Sequence, residues 1–95
     1  MPAYLIADVT ITNEEQMKLY REWSSKAMQE FGTEIVVRGG AMQVFEGDWK
    51  PQRVVVLKFK DMATARAYYE SPTYTTARQV RDGAGSINII AVEGA

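Results

Sequence analysis

Arg38 and Arg53 flank the segment of this chain that is best suited to binding chemistry. Between them lie Gly39-Gly40 and the run Glu46–Gln52, which joins two strand-like segments. A guanidinium group binds a carboxylate or phosphate through paired hydrogen bonds, so the two arginines are candidates for an anion clamp. The alternative is a structural role, in which they pin the loop by pairing with a nearby carboxylate, that of Asp8, Glu46 or Asp48.

Asp8 is the best candidate for a general base among these carboxylates, because a carboxylate on a partly buried sheet face can have a raised pKa. Alternation along the strands allows Asp8 and Arg38 to share one face of the sheet, which favours an ion pair between them. The Gly39-Gly40 pair lacks the context of a phosphate-binding loop. We expect it to form a bulge or a tight turn that requires positive φ.

Aromatic side chains supply further candidates for a binding pocket. Tyr20 and Trp23 lie on one stripe of the first predicted helix, and Tyr68, Tyr69 and Tyr74 lie in the second helical region. A pocket between the sheet and the helices would be lined by such rings, with hydroxyl groups orienting a small ligand. The alternative is that the same rings form the hydrophobic core.

Trp49 and Ser71 are further candidates for the ligand site. Trp49 lies in a turn, where its large ring would act as a lid over a pocket or pack in an interface. Ser71 precedes Pro72 and fits a helix N-cap, and the N-terminus of the helix that it begins is suited to binding an anion.

The chain has no cysteine and no histidine. Disulfides, thiolate nucleophiles, serine–histidine triads and histidine-ligated haem are therefore excluded. No metal site and no cofactor is expected. The net charge of −1 is scattered, which argues against nucleic acid and anionic membranes as partners. With no signal-peptide or membrane-spanning pattern, the expected location is the cytoplasm.

The pattern of apolar residues predicts one domain over residues 1–95, in the order strand, helix, strand, strand, helix, strand. The first half comprises a strand over Ala3–Ile11, a helix capped by Thr12 that runs to Phe31, and a strand over Glu34–Arg38. Ala41–Glu46 is expected to extend as a further strand or hairpin arm. The second half comprises a strand over Val54–Phe59, a short helix capped by Asp61, a second helical piece from Ser71 to Arg81 or Asp82, and a closing strand over Ile87–Val92.

This order is the split βαβ, ferredoxin-like arrangement of the α+β class, an antiparallel sheet with helices on one face. The other face of such a sheet is exposed, and here it is apolar rather than polar. An exposed apolar face of this size predicts association. The simplest way to bury it is a homodimer in which the two sheets pack against each other.

Several short motifs resemble those of the bacterial family called domain of unknown function 1330. They are Tyr4–Val9, Arg38–Gly40, Glu46–Trp49 with Pro51 and Arg53, and Tyr69–Pro72 with Tyr74. The resemblance implies the dimeric α+β barrel superfamily, whose members include cofactor-independent quinol monooxygenases, muconolactone isomerases and haem-degrading enzymes. The haem-degrading relatives usually hold iron with histidine, so this chain departs from them.

Two functions follow from these observations. The first is binding of a small aromatic or carboxylate-bearing metabolite, with cofactor-independent monooxygenase or isomerase activity implied by the superfamily resemblance. The predicted ligand-binding residues are Tyr20, Trp23, Arg38, Trp49, Arg53, Tyr69, Ser71 and Tyr74. The second is a non-catalytic dimerisation module in which these residues serve as core and interface. The residues alone leave both open, and they do not assign catalytic groups.

Overall fold

The computed structural model describes all 95 residues. Four strands and three helices follow one another as β1 (Ala3–Ile11), α1 (Glu14–Glu30), β2 (Glu34–Arg38), β3 (Arg53–Phe59), α2 (Met62–Glu70), α3 (Pro72–Val80) and β4 (Gly85–Glu93). The strands form one antiparallel sheet in the order β2-β3-β1-β4. The predicted α+β, ferredoxin-like arrangement is confirmed, with the second helical region divided into α2 and α3.

Strand β1 lies in the centre of the sheet and alternates strictly between buried and half-buried residues over most of its length. Ala3, Leu5, Ala7 and Val9 face the helices and are buried. We call this side of the sheet the helix face. The other side, the open face, includes Tyr4, Ile6 and Asp8 together with their register partners on β3 and β4.

Asn13 is the N-cap of helix α1, and its side chain accepts a hydrogen bond from the Gln16 backbone N–H at 3.1 Å. The predicted cap at Thr12 is therefore wrong by one residue, since both residue types accept hydrogen bonds from a first helical turn. At the other end, Gly32 takes a positive φ of 59°, as expected for a helix C-terminus. The predicted apolar stripe of this helix is buried or half-buried, and comprises Met17, Tyr20, Trp23, Ser24, Ala27, Met28 and Phe31.

Helices α2 and α3 have the predicted caps, Asp61 and Ser71, and Pro72 is the first residue of α3. The Asp61 carboxylate accepts hydrogen bonds from the Thr64 backbone N–H and hydroxyl, which lower the pKa of Asp61. Helix α1 packs on α3, while α2 packs on the sheet. Tyr68 and Tyr74, from these two helices, are among the largest fully buried side chains and pack beside Phe59 and Met17 in the core.

Residues 39–52 form neither helix nor strand, so the strand or hairpin arm expected over Ala41–Glu46 is wrong. Gly39 has a φ of +61° and lies against the Arg53 side chain, so any larger residue there would collide with it. This observation confirms the predicted tight turn. None of the three helices has the length and apolar character of a membrane span.

Candidate functional site

A cavity of about 200 Å³ lies between the helix face of the sheet and helices α1 and α3. We call it the main cavity. Its sheet wall is aliphatic, formed by residues such as Leu5, Ala7, Val55 and Ile89. This wall consists of side chains from β1, β3 and β4 that lie directly opposite one another in the paired strands. The regular pairing of the sheet therefore determines the shape of the wall. The polar groups of the cavity come from α1, α3 and the β2–β3 edge.

Arg38 reaches the main cavity because β2 contains an irregularity between Ile35 and Val37. Ile35 pairs with Leu57 and Arg38 pairs with Val55, so β2 advances by three residues over a stretch in which β3 advances by two. Regular alternation from Ile35 would have placed Arg38 on the open face. The bulge reverses this, because one extra residue exchanges the faces of the residues that follow.

Arg53 lines the same end of the cavity from the first position of β3. It pairs with Val9 of β1, two register positions beyond Val55 and on the same face, and its side chain lies against Gly39. Neither Arg38 nor Arg53 has a carboxylate oxygen within 4.0 Å. The two arginines thus carry positive charge beside an apolar cavity without a carboxylate in direct contact.

The expectation that Asp8 and Arg38 share a face is wrong. Asp8 pairs with Val54 and Asn88 and lies on the open face, on the opposite side of the sheet from the main cavity. Its carboxylate accepts a hydrogen bond from the indole N–H of Trp49 at 3.0 Å. Asp8 therefore anchors the β2–β3 loop against the open face and cannot serve as a base in the main cavity.

A third arginine of the lining, Arg21 of α1, is paired. Its guanidinium donates to the Glu14 carboxylate at 2.5 Å, one of two ion pairs in the structure. The hydrogen bond from Arg21 lowers the pKa of Glu14. Arg21 thus has a protein partner, in contrast to Arg38 and Arg53.

The helix wall of the main cavity carries two tyrosine hydroxyls in contact. Tyr20 Oη and Tyr74 Oη lie 2.6 Å apart, and Arg81 Nη1 donates to Tyr74 Oη at 3.2 Å. Burial raises the pKa of Tyr20, Tyr68 and Tyr74, so these phenols are protonated at neutral pH. They act as hydrogen-bond groups rather than as bases.

The predicted ligand-binding residues divide into two sets. Tyr20, Arg38, Arg53 and Tyr74 line the main cavity, whereas Trp23, Trp49, Tyr69 and Ser71 do not. Trp23 is half-buried beneath the Lys26 ammonium, 4.3 Å from its ring centroid. Ser71 is buried, where its hydroxyl donates to the Tyr68 carbonyl and accepts from the Tyr74 backbone N–H.

Sequence reasoning missed Arg21 and Arg81, and it counted Tyr68 among the rings that could line a pocket but left it out of the predicted ligand-binding residues. Tyr68 and Tyr69 are adjacent, and only the helical phase of α2 decides which ring points inward. Arg21 follows Tyr20 directly and was assigned to no face. Arg81 lies just after α3, and its role depends on the packing of α1 against α3, for which a single sequence gives no signal.

No carboxylate lines the main cavity, and no group of acidic residues is arranged to hold a metal ion. The side-chain chemistry of the cavity is therefore that of guanidinium groups, phenols and serine hydroxyls. These groups can bind an anion and donate hydrogen bonds to a ligand oxygen, but none of them is a strong base at neutral pH.

Residues 2–95 match the profile of the family described as Domain of unknown function (DUF1330). The chain belongs to this family. The match spans nearly all of the sequence and confirms the resemblance drawn from its motifs. No curated protein gives a significant match to this DUF1330 chain.

Solved structures of low sequence identity share the DUF1330 fold. A protein of unknown function from Rhodopseudomonas palustris matches with a TM-score of 0.77 and 18% identity, over 99% of this chain and 82% of that one. A dimeric ferredoxin-like protein of unknown function from Jannaschia sp. CCS1 matches with a TM-score of 0.67 and 18% identity, over 99% and 100%. A Nitrosomonas europaea protein, described provisionally as an antibiotic biosynthesis monooxygenase, gives 0.58 and 16%, over 98% and 89%.

Proposed function

We propose that this protein is a homodimer that binds a small, largely apolar metabolite bearing a carboxylate. The observation that carries the proposal is the pair of arginines, Arg38 and Arg53, which line an apolar cavity without a carboxylate at ion-pair distance. A guanidinium group that lacks such a partner can give paired, charge-assisted hydrogen bonds to a ligand anion.

The size and lining of the main cavity narrow the class of ligand. An apolar cavity of about 150 Å³ is large enough to hold benzene, so about 200 Å³ is suited to one six-membered ring with a short substituent. The carboxylate would face Arg38 and Arg53, and the ring would pack on the aliphatic sheet wall. The Tyr20–Tyr74 hydroxyl pair on the helix wall is suited to a second oxygen of the ligand.

The open face supports the homodimer. Val37, Val56, Ile6 and Ile90 form one apolar row across all four strands, and Ile90 is 62% exposed. The similar proteins from Jannaschia and from Thermobifida fusca are described as dimeric and ferredoxin-like. Packing two open faces together would cover this row and produce the dimeric α+β barrel expected from the sequence. The cytoplasmic location stays a prediction.

Cofactor-independent catalysis is the second candidate function, favoured by the described activity of the Nitrosomonas protein. The groups available for it are the phenols of Tyr20 and Tyr74, which can donate hydrogen bonds to an oxygen that gains negative charge during a reaction. The cavity lacks a carboxylate base, so binding is the function that its own side chains support best.

Native mass spectrometry of the freshly purified protein, compared with its denatured mass, tests the proposal directly. A dimer that carries extra mass identifies the ligand class. Benzoate is then titrated by calorimetry into the wild-type protein and the Arg38→Gln and Arg53→Gln variants. Arg66→Gln serves as the matched control, because Arg66 is exposed and lies outside the main cavity.

We expect each cavity variant to weaken benzoate binding by about 10-fold or more, since a hydrogen bond to a charged group contributes about 1.5–3 kcal/mol. Arg66→Gln should bind as the wild type does. Equal benzoate affinity in all four proteins, or a dimer without bound mass and without benzoate binding, would instead favour the non-catalytic dimerisation module.

A further inference from the structure

A second hollow, of about 280 Å³, lies at the junction of α3 and β4. We call it the arginine hollow. Two guanidinium groups, of Arg78 and Arg81, face it, and the remaining lining consists of Met17, Tyr69, Asp82, Gly83, Gly85 and Ile87. Its lining is polar, unlike the aliphatic sheet wall of the main cavity.

Both arginines of the hollow are held by neutral groups. Arg78 stacks on the Tyr69 ring, with its guanidinium carbon 4.5 Å from the ring centroid, and its Nη2 donates to the Thr75 hydroxyl at 3.3 Å. Arg81 lies 5.2 Å from the Tyr20 ring centroid and donates to the Tyr74 hydroxyl. These contacts hold the two side chains in place without neutralising them.

The hydrogen-bond capacity of the hollow is not fully used by the protein. Arg78 Nε is buried and has no acceptor, and neither guanidinium has a carboxylate oxygen within 4.0 Å. The backbone N–H of Gly83 also donates to no protein group. Asp82 is the one carboxylate of the lining, so the hollow carries a net positive charge.

We propose that the arginine hollow is a binding site for the phosphate group of a small molecule. Two guanidinium forks and a free backbone amide offer donors to three oxygens, which a phosphate presents and a carboxylate does not. An anion between the arginines also relieves the repulsion of two like charges that face one hollow.

The site is independent of the proposed function, because it uses neither Arg38 nor Arg53. It nevertheless adjoins the main cavity, since Met17 and Ile87 line both and Arg81 donates a hydrogen bond to the Tyr74 hydroxyl of the cavity wall. The Asp82 carboxylate opposes a bound anion and so is expected to limit its affinity.

Titration of inorganic phosphate into ¹⁵N-labelled protein at constant ionic strength tests the proposal, with the amide signals of Gly83 and Gly85 as reporters. We expect saturable shifts at both glycines, an affinity about 10-fold lower in Arg78→Gln, and a several-fold higher affinity in Asp82→Asn. Arg78→Lys, which keeps the charge and removes the fork, should lie between wild type and Arg78→Gln. Arg38→Gln and the matched exposed control Arg66→Gln should respond as wild type does.

Four results would overturn the assignment. Three of them are the absence of shifts at the two glycines at millimolar phosphate, an unchanged response in Arg78→Gln with its spectrum otherwise intact, and an equal response to acetate. A loss of the response in Arg38→Gln would also contradict it, by placing the phosphate in the main cavity. Benzoate binding is measured in a separate titration, and the first three results leave it unaffected, so the two proposals can fail separately.

Discussion

On the helix face of the sheet, Arg38 and Arg53 lie at the ends of rows of apolar side chains, and neither has a carboxylate partner. On the open face, by contrast, the carboxylate of Asp8 accepts a hydrogen bond from Trp49. Both faces are largely apolar, so hydrophobicity does not distinguish them. The difference lies in which polar groups already have a protein partner. A charged group without a protein partner beside an apolar cavity is suited to binding a small ligand. A flat apolar row whose neighbouring polar group already has a hydrogen-bond partner is suited to packing against another protein surface.

The strongest way to break this comparison is to place a charge on the open face. Ile90→Asp puts a carboxylate in the centre of the apolar row, and we expect the dimer to weaken by at least about 100-fold, because burying an unpaired charge is costly. Ile90 is largely exposed in the protomer, so the fold should persist. Sedimentation velocity over a range of concentrations measures the change.

Leu19→Asp is the matched control for this experiment, because Leu19 is 53% exposed on α1, away from the open face. Its variant should dimerise as the wild type does. Dissociation of both variants, or of neither, would contradict the assignment of the open face as the interface.

The helix layer can be tested through its buried phenols. Burial raises the pKa of Tyr68 and Tyr74 above the ordinary value of 10.0, so the unfolded chain releases these protons at a lower pH than the folded chain does. The stabilisation is complete below pH 10 and is lost as the pH rises above it. The free energy of unfolding should fall by about 1.4 kcal/mol per pH unit for each such tyrosine.

Urea denaturation between pH 8 and about 12 measures this slope. Tyr68→Phe and Tyr74→Phe should each make it shallower, and their stabilities at pH 7 separate the titration from any change in packing. Slopes in both variants equal to that of the wild type would show that the hydroxyls are solvated in the folded protein.

A smaller effect is expected at Ser71, whose hydroxyl has protein partners on both sides. Ser71→Ala removes the cap of α3 and should lower the free energy of unfolding by about 1–2 kcal/mol. The benzoate affinity of Ser71→Ala should stay within about twofold of that of the wild type, whereas Arg38→Gln is expected to weaken it by about 10-fold or more. Ser86→Ala, at an exposed position, is the control. A large loss of benzoate affinity in Ser71→Ala but not in Ser86→Ala would show that Ser71 belongs to the ligand site.

Local patterns predicted most of the fold, including the full bounds of β1 and β2 and the caps at Asp61 and Ser71. Each of these depends on residues within a few positions of one another. The face of Arg38 does not, because it is set by how β2 pairs with β3, seventeen or more residues away. Alternation along β2 alone gave the wrong face, and with it the wrong partner for Asp8.

The same distinction between local and long-range information separates the residues of the candidate site that could be predicted from those that could not. Tyr20 and Tyr74 could be predicted as inward-facing because a helical stripe is a local property. Trp49 could not be placed, since an irregular loop carries no period, and it lies over the open face rather than the main cavity. Arg81 became part of the site only through the packing of α1 on α3.

The smallest expected effect on benzoate affinity is that of removing the bulge in β2. Deleting Val36 removes the extra residue of β2 and leaves Val37 opposite Val56 and Arg38 opposite Val55, now in a regular strand. Because Arg38 keeps its face, the deletion should preserve benzoate affinity within about threefold, while Val36→Ala controls for the loss of an exposed side chain. Should β2 instead alternate regularly with Arg38 beside Asp8, Arg38→Gln would leave benzoate affinity unchanged, whereas the same deletion would turn Arg38 to the other face and change that affinity.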